Sequence, residues 1–281
     1  MLSILCVLSL FLVSSCEYGI GEGFYRPHDV SERASSLTVV SDSDTEILSS
    51  SVGGRKYRVL AVSDIHFGKN GNADSNARKV LEWVRMQGDI DMCINVGDTA
   101  DHGRAGELDS FVSFENELKS LGVKNVYSCL GNHDLYNSGW ESWKEKVYPN
   151  ASFYTFTIGS ISYYFIDSAS GSLGKAQMKM LDDAMKADEN KKIVVSHYPI
   201  HSEVLMGFCG LQETKESDLL LDMFYSNGVI QVIEGHSHVY GENDFKRFKE
   251  VNVPSLCKEG HWVLFTVDEE NMKVSHRLIK R

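Results

Sequence analysis

Five times along this chain a short apolar run gives way to a polar cluster of Asp, Asn and His. The runs are Tyr57 to Val62, Met92 to Val96, Asn125 to Leu130, Ile193 to Val195 and Val229 to Ile233. The clusters that follow are Asp64-Ile65-His66, Gly97-Asp98-Thr99-Ala100-Asp101, Gly131-Asn132-His133-Asp134, His197 and Gly235-His236-Ser237-His238. Short runs of Val, Ile, Leu and Tyr bounded by Gly or polar residues read as buried strands, so each cluster falls at a strand's carboxyl end. In layered α/β folds that edge is where loops converge on a ligand. A single Asp or His there reads equally well as a helix cap or a turn residue, but five in series do not.

The clusters supply carboxylate, amide and imidazole groups without thiolate, the donor set of divalent metals of borderline hardness. A metal-dependent hydrolase is the chemistry this implies. Gly97, Gly131 and Gly235 each stand immediately before a candidate ligand, where a sharp turn or close backbone approach favours a residue without Cβ.

Taken in order, the clusters resemble the signature of the calcineurin-like metallophosphoesterase family: DxH, GDxxD, GNH(D/E), H, GHxH. Every element is present between Asp64 and His238. The resemblance implies an α/β fold, a two-sheet β-sandwich flanked by helices. It implies a first metal held by Asp64, His66, Asp98 and His238, and a second held by Asp98, Asn132, His197 and His236, so that Asp98 bridges. Mn, Fe, Zn or Co would suit these ligands. A hydroxide bridging two cations roughly 3.5–4 Å apart would attack a phosphate mono- or diester in line. His133, next to Asn132, would protonate the leaving oxygen, with Asp101 similar in position to the carboxylate that orients it. Asp101 reads alternatively as the N-cap of a helix beginning near Arg104. His102 stands where the phosphoprotein phosphatase branch has an arginine, and Asp101 where purple acid phosphatases have a tyrosine, so neither of those activities is expected.

Around the signature, His201 reads as a substrate contact or as an ordinary loop histidine. Tyr198 is expected against a metal ligand, and Tyr136, Asn137 and Trp140 as pocket lining or core. The expected substrate is a small phosphorylated molecule. A cyclic-nucleotide phosphodiesterase is the alternative within the class, and a noncatalytic surface ligand-binding protein the alternative outside it.

Helical spacing of apolar residues predicts helices over Ala73 to Met86, Gly106 to Leu121, Lys175 to Ala187 and Glu216 to Tyr225. Phe153 to Ile158 and Ile161 to Ile166 flank Gly159-Ser160 as a hairpin, and Trp262 to Val267 with Val274 to Ile279 form another. Residues 57–281 are expected to form one metallophosphoesterase domain.

The amino-terminal part reads separately. Leu2 to Val13 is apolar and uncharged but far short of the roughly 20 residues a spanning helix needs. Small residues and Cys16 follow, as at a secretory cleavage site, and the pattern resembles the bacterial lipoprotein box. Residues 1–15 are therefore expected to be a signal peptide and Cys16 a lipid-bearing residue. The exported protein would then be anchored to a bacterial membrane, facing periplasm or cell surface. Residues 16–56, with serines at Ser35-Ser36 and Ser49-Ser50-Ser51, read as a flexible tether, to which Leu37 to Val40 and Glu46 to Leu48 add possible edge strands. Cys93 and Cys129 are expected to be buried. Cys209 and Cys257 are open to disulfide pairing, which spacing does not decide. A net charge of -11 disfavours nucleic acid as a partner.

Overall fold

The computed structural model describes residues 30–69, 71–201 and 209–280. The elements run α1 (Val30–Arg33), β1 (Thr38–Val39), α2 (Ser43–Val52), β2 (Lys56–Val62), α3 (Asn72–Gln87), β3 (Met92–Asn95), α4 (Ala105–Ser120), β4 (Asn125–Ser128), α5 (Gly139–Lys146), β5 (Tyr154–Ile158), β6 (Ile161–Ile166), α6 (Gly174–Ala187), β7 (Lys191–Ser196), α7 (Thr214–Ser226), β8 (Val229–Glu234), β9 (Gly241–Asp244), β10 (Lys249–Asn252), α8 (Leu256–Glu259), β11 (His261–Asp268) and β12 (Lys273–Lys280).

The strands form two sheets, one of five in the order β12-β11-β2-β3-β4 and one of seven in the order β1-β5-β6-β7-β8-β10-β9. The architecture is a mixed α/β, two-sheet sandwich flanked by helices. Strand alternation explains the layers. Tyr57, Val59 and Ala61 of β2 share one buried cluster with Phe156, Tyr163, Phe165 and Val195 of the other sheet. Leu60 and Val62 turn the other way, onto Val80, Val84, Leu108 and Phe111 of α3 and α4. On the far side Tyr164, Val194 and Val232 pack with Leu181, Leu220 and Phe224 of α6 and α7. Each large aliphatic or aromatic side chain buried in these layers contributes about 1.5–3 kcal/mol.

Strands β2, β3 and β4 run parallel, as do β6, β7 and β8. The loops that leave their carboxyl ends carry all five polar clusters. Both expected hairpins form, with Ile158 opposite Ile161 and Val267 opposite Val274. Cys93 and Cys129 are buried as expected, and Cys209 and Cys257 are both free, so no disulfide joins them.

The tether expected for residues 16–56 does not hold from Val30 onward. The guanidinium of Arg33 donates to Asp167 at 2.9 and 3.0 Å, and both side chains are fully buried. Strand β1 pairs in parallel with β5, giving the edge strand that Leu37 to Val40 suggested. The segment Glu46 to Leu48 is instead helical. Asp42 caps α2 by accepting from the N–H of Thr45 at 2.9 Å, and Thr45, Leu48 and Val52 lie buried along one face. The serines misled because their hydroxyls serve the helix: Ser50 and Ser51 donate to the carbonyls of Ile47 and Leu48. The folded unit therefore includes residues well before Tyr57. Among the described residues no helix is long and apolar enough to cross a membrane. The signal segment and Cys16 lie outside the described residues.

Candidate metal centre

The loops after β2 and β3 are laced together by the main chain. Asp64, His66 and Phe67 donate their N–H groups to the carbonyls of Gly97, Asp98 and Thr99, and Asp101 donates back to Phe67. That ladder forces unusual backbone. Asp64, His66 and Asp98 each have φ of 51°, and His236 and His238 have 63° and 65°. Left-handed backbone costs a non-glycine residue on the order of 1–3 kcal/mol and persists where surrounding contacts impose it. Five of the seven expected metal ligands carry that strain, and it turns their side chains toward one point. Close approach explains two of the glycines: a Cβ on Gly97, at φ of 99°, would stand 2.6 Å from the His197 ring, and one on Gly131 would collide with the backbone of Asp98.

The seven expected ligands come together. Donor atoms of Asp64, His66, Asp98 and His238 lie within 4.8 Å of one another, as do those of Asp98, His197 and His236. Asp98 belongs to both groups. Asn132 joins the second, its Oδ1 being 3.1 Å from Nε2 of His197. The ring nitrogens are aimed by their outer partners. Nδ1 of His197 donates to the carbonyl of Val96 at 2.8 Å, which leaves Nε2 facing Oδ1 of Asp98 at 3.4 Å. His66 turns Nδ1 to the Asp101 carboxylate at 3.2 Å. Its Nε2 is buried without a hydrogen-bond partner and looks across 3.8 and 4.0 Å at the carboxylates of Asp98 and Asp64. An orphaned imidazole nitrogen facing two carboxylates is a poor protein interior and a good cation site. The donor set fits two divalent ions.

The electrostatics agree. Burial works to raise the Asp98 carboxyl, but the neighbouring His197, His133 and His66 hold it well below the usual range. Asp64 is likewise lowered against its burial, by His238 and His197. Burial opposes protonation of His197, yet Asp98 and Asp64 push it up to about 9. His236 is pressed down to about 4 by burial and by His197.

Other groups hold these in place. His236 donates its N–H to Asp64 Oδ2 at 3.1 Å, His133 donates its N–H to Asp98 Oδ1 at 2.8 Å, and the Ser63 hydroxyl donates to Asp64. Tyr198 stacks on His236 with ring centroids 3.8 Å apart, the ligand contact expected of it. Ser63 was not singled out in the sequence, and neither was Lys69, whose Nζ is 3.7 Å from Asp101. Their proximity to signature residues was the only available signal.

His133 sits at the edge of the centre, its ring edge-on to His66 at 4.5 Å. The expectation for Asp101 needs correcting. The Asp101 main-chain carbonyl, not its carboxylate, accepts from Nδ1 of His133 at 2.8 Å; the carboxylate is 3.9 Å away. That carboxylate faces Nδ1 of His66 and Nδ1 of His102, both at 3.2 Å. Nor does Asp101 cap α4, because Glu107 accepts the N–H groups of His102 and Arg104 at the helix start. Trp140 is core, stacked on the buried Trp143. Asn137 donates to the carbonyl of His102. His201 belongs to neither metal group and meets Phe245 edge-on.

A family model described as Calcineurin-like phosphoesterase matches residues 57–240. A Fibrobacter succinogenes protein named "Probable cyclic nucleotide phosphodiesterase" is 24% identical over 160 residues, which cover 54% of this chain and 61% of that protein. The chain thus spans about three fifths of that relative's length. A dimetal phosphatase from Danio rerio superposes with a TM-score of 0.61 at 12% identity, over 78% of this chain and 98% of that one. GAP50, the anchor in the inner membrane complex of Plasmodium, has a TM-score of 0.61 at 16% identity over 80% and 85%. At these identities the two structural likenesses concern the fold.

Proposed function

This chain belongs to the calcineurin-like phosphoesterase family, and on that footing we propose that it is a metal-dependent phosphoesterase acting on a small phosphate mono- or diester outside the cytoplasm. The observation that carries this reading is the meeting of two donor groups on Asp98, with Nε2 of His66 buried and unpartnered between carboxylates. Asp64, His66, Asp98 and His238 would hold one divalent cation, and Asp98, Asn132, His197 and His236 the other. A pair of such cations supplies a water acidic enough to ionise near neutral pH and positive charge opposite the phosphoryl oxygens.

The chain's own residues then divide the remaining work. Asp98 places negative charge between the two groups. The carbonyl of Asp101 keeps a proton on Nδ1 of His133, so Nε2 is the atom that takes up a second proton and, from the imidazolium so formed, hands it to the departing oxygen. The Asp101 carboxylate fixes the ring of His66. Ser63 and the N–H of His236 occupy one oxygen of Asp64, which leaves Oδ1 for the centre.

Mn, Fe, Zn and Co are the metals this donor set accepts. The full-length protein loaded with Mn²⁺ should hydrolyse nitrophenyl phosphate or bis-nitrophenyl phosphate, and Asp98→Asn should lose both metal and turnover. An Asp98→Asn protein that keeps two cations by elemental analysis, or a loaded native protein inert toward every phosphate ester, would overturn the reading.

The Fibrobacter succinogenes relative supports a second reading, cyclic-nucleotide hydrolysis, which the same assay with cyclic nucleotides tests. Export and attachment through a lipid on Cys16 rest on the Leu2 to Cys16 pattern. A Cys16→Ala protein that partitions into detergent like the native form would remove the anchor.

A further inference from the structure

Beside the metal-binding loops lies a second concavity with different chemistry. It is a cleft of about 190 Å³, bordered by Glu234, Glu242, Glu250, Asn243, Asn252 and Tyr240. No Lys or Arg is among its described lining residues. Its wall includes Ser237, which stands between His236 and His238 in sequence, so the cleft opens on the same loop that carries two candidate ligands.

Glu250 is the unusual member. It is 1% exposed; its carboxyl accepts from Asn243 through Oε2 at 3.2 Å and from the backbone of His201, another lining residue, and Oε1 is buried without a side-chain partner. Burial pushes this carboxyl up to about 8. Glu234, 2% exposed, accepts the N–H of Ile200 at 2.7 Å, and neither glutamate has an ion pair among the described residues. Buried carboxyls without cations are costly unless something supplies the missing donor.

The contents of the cleft can be narrowed by exclusion. A phosphate or other anion would face three carboxyls. A metal ion needs a tighter group: neither Glu234 nor Glu250 joins two further Asp, Glu, His or Cys residues within 4.8 Å. The cleft has room for an aminoethyl arm. A primary ammonium brings three donors and one positive charge; on binding it would displace the proton that burial keeps on Glu250 to solvent and pair with the carboxylate so formed, beside the side-chain amides of Asn243 and Asn252.

Resting on the phosphoesterase reading above, we propose that this cleft receives the primary ammonium of an amino-alcohol esterified to the phosphate, with Glu250 as the specificity-determining residue. The esters favoured would be of the ethanolamine type over uncharged esters of the same size.

Two measurements on the full-length protein test this. In the first, ethanolamine and propan-1-ol are titrated into the protein and binding is followed by saturation-transfer NMR, without need of turnover. Ethanolamine should bind and propan-1-ol should not; Glu250→Gln should weaken ethanolamine binding about tenfold or more, and Glu242→Gln, at the exposed rim, severalfold with its thermal transition unchanged. In the second, kcat/KM for 4-nitrophenyl phosphoethanolamine is compared with that for 4-nitrophenyl propyl phosphate. The native enzyme should prefer the first, and both variants should narrow the preference. Equal binding of the two alcohols, or a preference that both variants retain, would overturn the cleft assignment. Ethanolamine binding that responds to Glu250→Gln in a protein inert toward every ester would leave the cleft standing and sink the phosphoesterase reading instead.

Discussion

The main-chain carbonyl of Asp101 accepts a hydrogen bond from Nδ1 of His133 at 2.8 Å. A carbonyl only accepts, so the proton sits on Nδ1 and the neutral ring offers Nε2 as its exchanging atom. His133 also donates its N–H to Asp98, so ring and backbone are both anchored beside the centre, yet the ring is in neither ligand group around Asp98. The expected result for His133→Asn is a fall in kcat of about a hundredfold or more with metal content unchanged, measured by steady-state kinetics and elemental analysis on one preparation. Unaltered turnover would reject the proton-transfer role.

Because the carbonyl does the anchoring, Asp101→Ala removes a different function. The carboxylate faces Nδ1 of His66 at 3.2 Å, the place of an outer partner that fixes a ligating imidazole. Asp101→Ala should therefore weaken binding of one of two metals about 10- to 100-fold, with much of the lost activity restored by excess Mn²⁺. His133→Asn should show no such rescue. A metal titration in which Asp101→Ala binds both ions as the native protein does would return the carboxylate to His133.

Much of this arrangement was legible beforehand because the first donor of each cluster sits one to four residues past a strand whose apolar run is plain. Asp64, Asp98, Asn132, His197 and His236 follow β2, β3, β4, β7 and β8, and a strand's end fixes where the next side chains go. The outer contacts were not legible. That Asp101 uses its carbonyl toward His133 depends on the ladder between the loops after β2 and β3, a tertiary feature with no sequence period. Helix α2 was missed because Thr45, Leu48 and Val52 give only a narrow apolar stripe amid serines. Helix α5 was missed for a related reason: it is eight residues long and owes its burial to Trp140 and Trp143.

Arg33 and Asp167 test whether the segment before Tyr57 is part of the folded unit. Their side chains are fully buried and paired in a fork, with Ser170 taking a further guanidinium N–H at 2.9 Å. Arg33→Ala leaves the carboxylate of Asp167 buried and short of a partner, a change that costs about 3–5 kcal/mol. Chemical denaturation should show a loss of that order. A loss of under about 1 kcal/mol, the range of exposed pairs, would mean that the segment adds little to the domain.

Glu250 gives a pH dependence whose sign is fixed by its burial. Its carboxyl is raised from 4.5 to about 8 in the folded state, by burial above all. Below about pH 4.5 both folded and unfolded chains hold the proton, and Glu250 imposes no penalty. Between about 4.5 and 8 the unfolded chain gives it up while the folded chain keeps it, so the unfolded state binds fewer protons and stability falls as pH rises. Glutamine has the same shape and no proton to lose. The difference in Tm between Glu250→Gln and the native protein should therefore shift in the variant's favour from about pH 5 to about pH 8.5, and level off above that. Glu234, also raised by burial and by Glu250, bends both curves in the same direction, so the difference reports Glu250 together with the part of the Glu234 shift that Glu250 causes. A difference that stays flat across this range would show that Glu250 is already ionised in the folded protein.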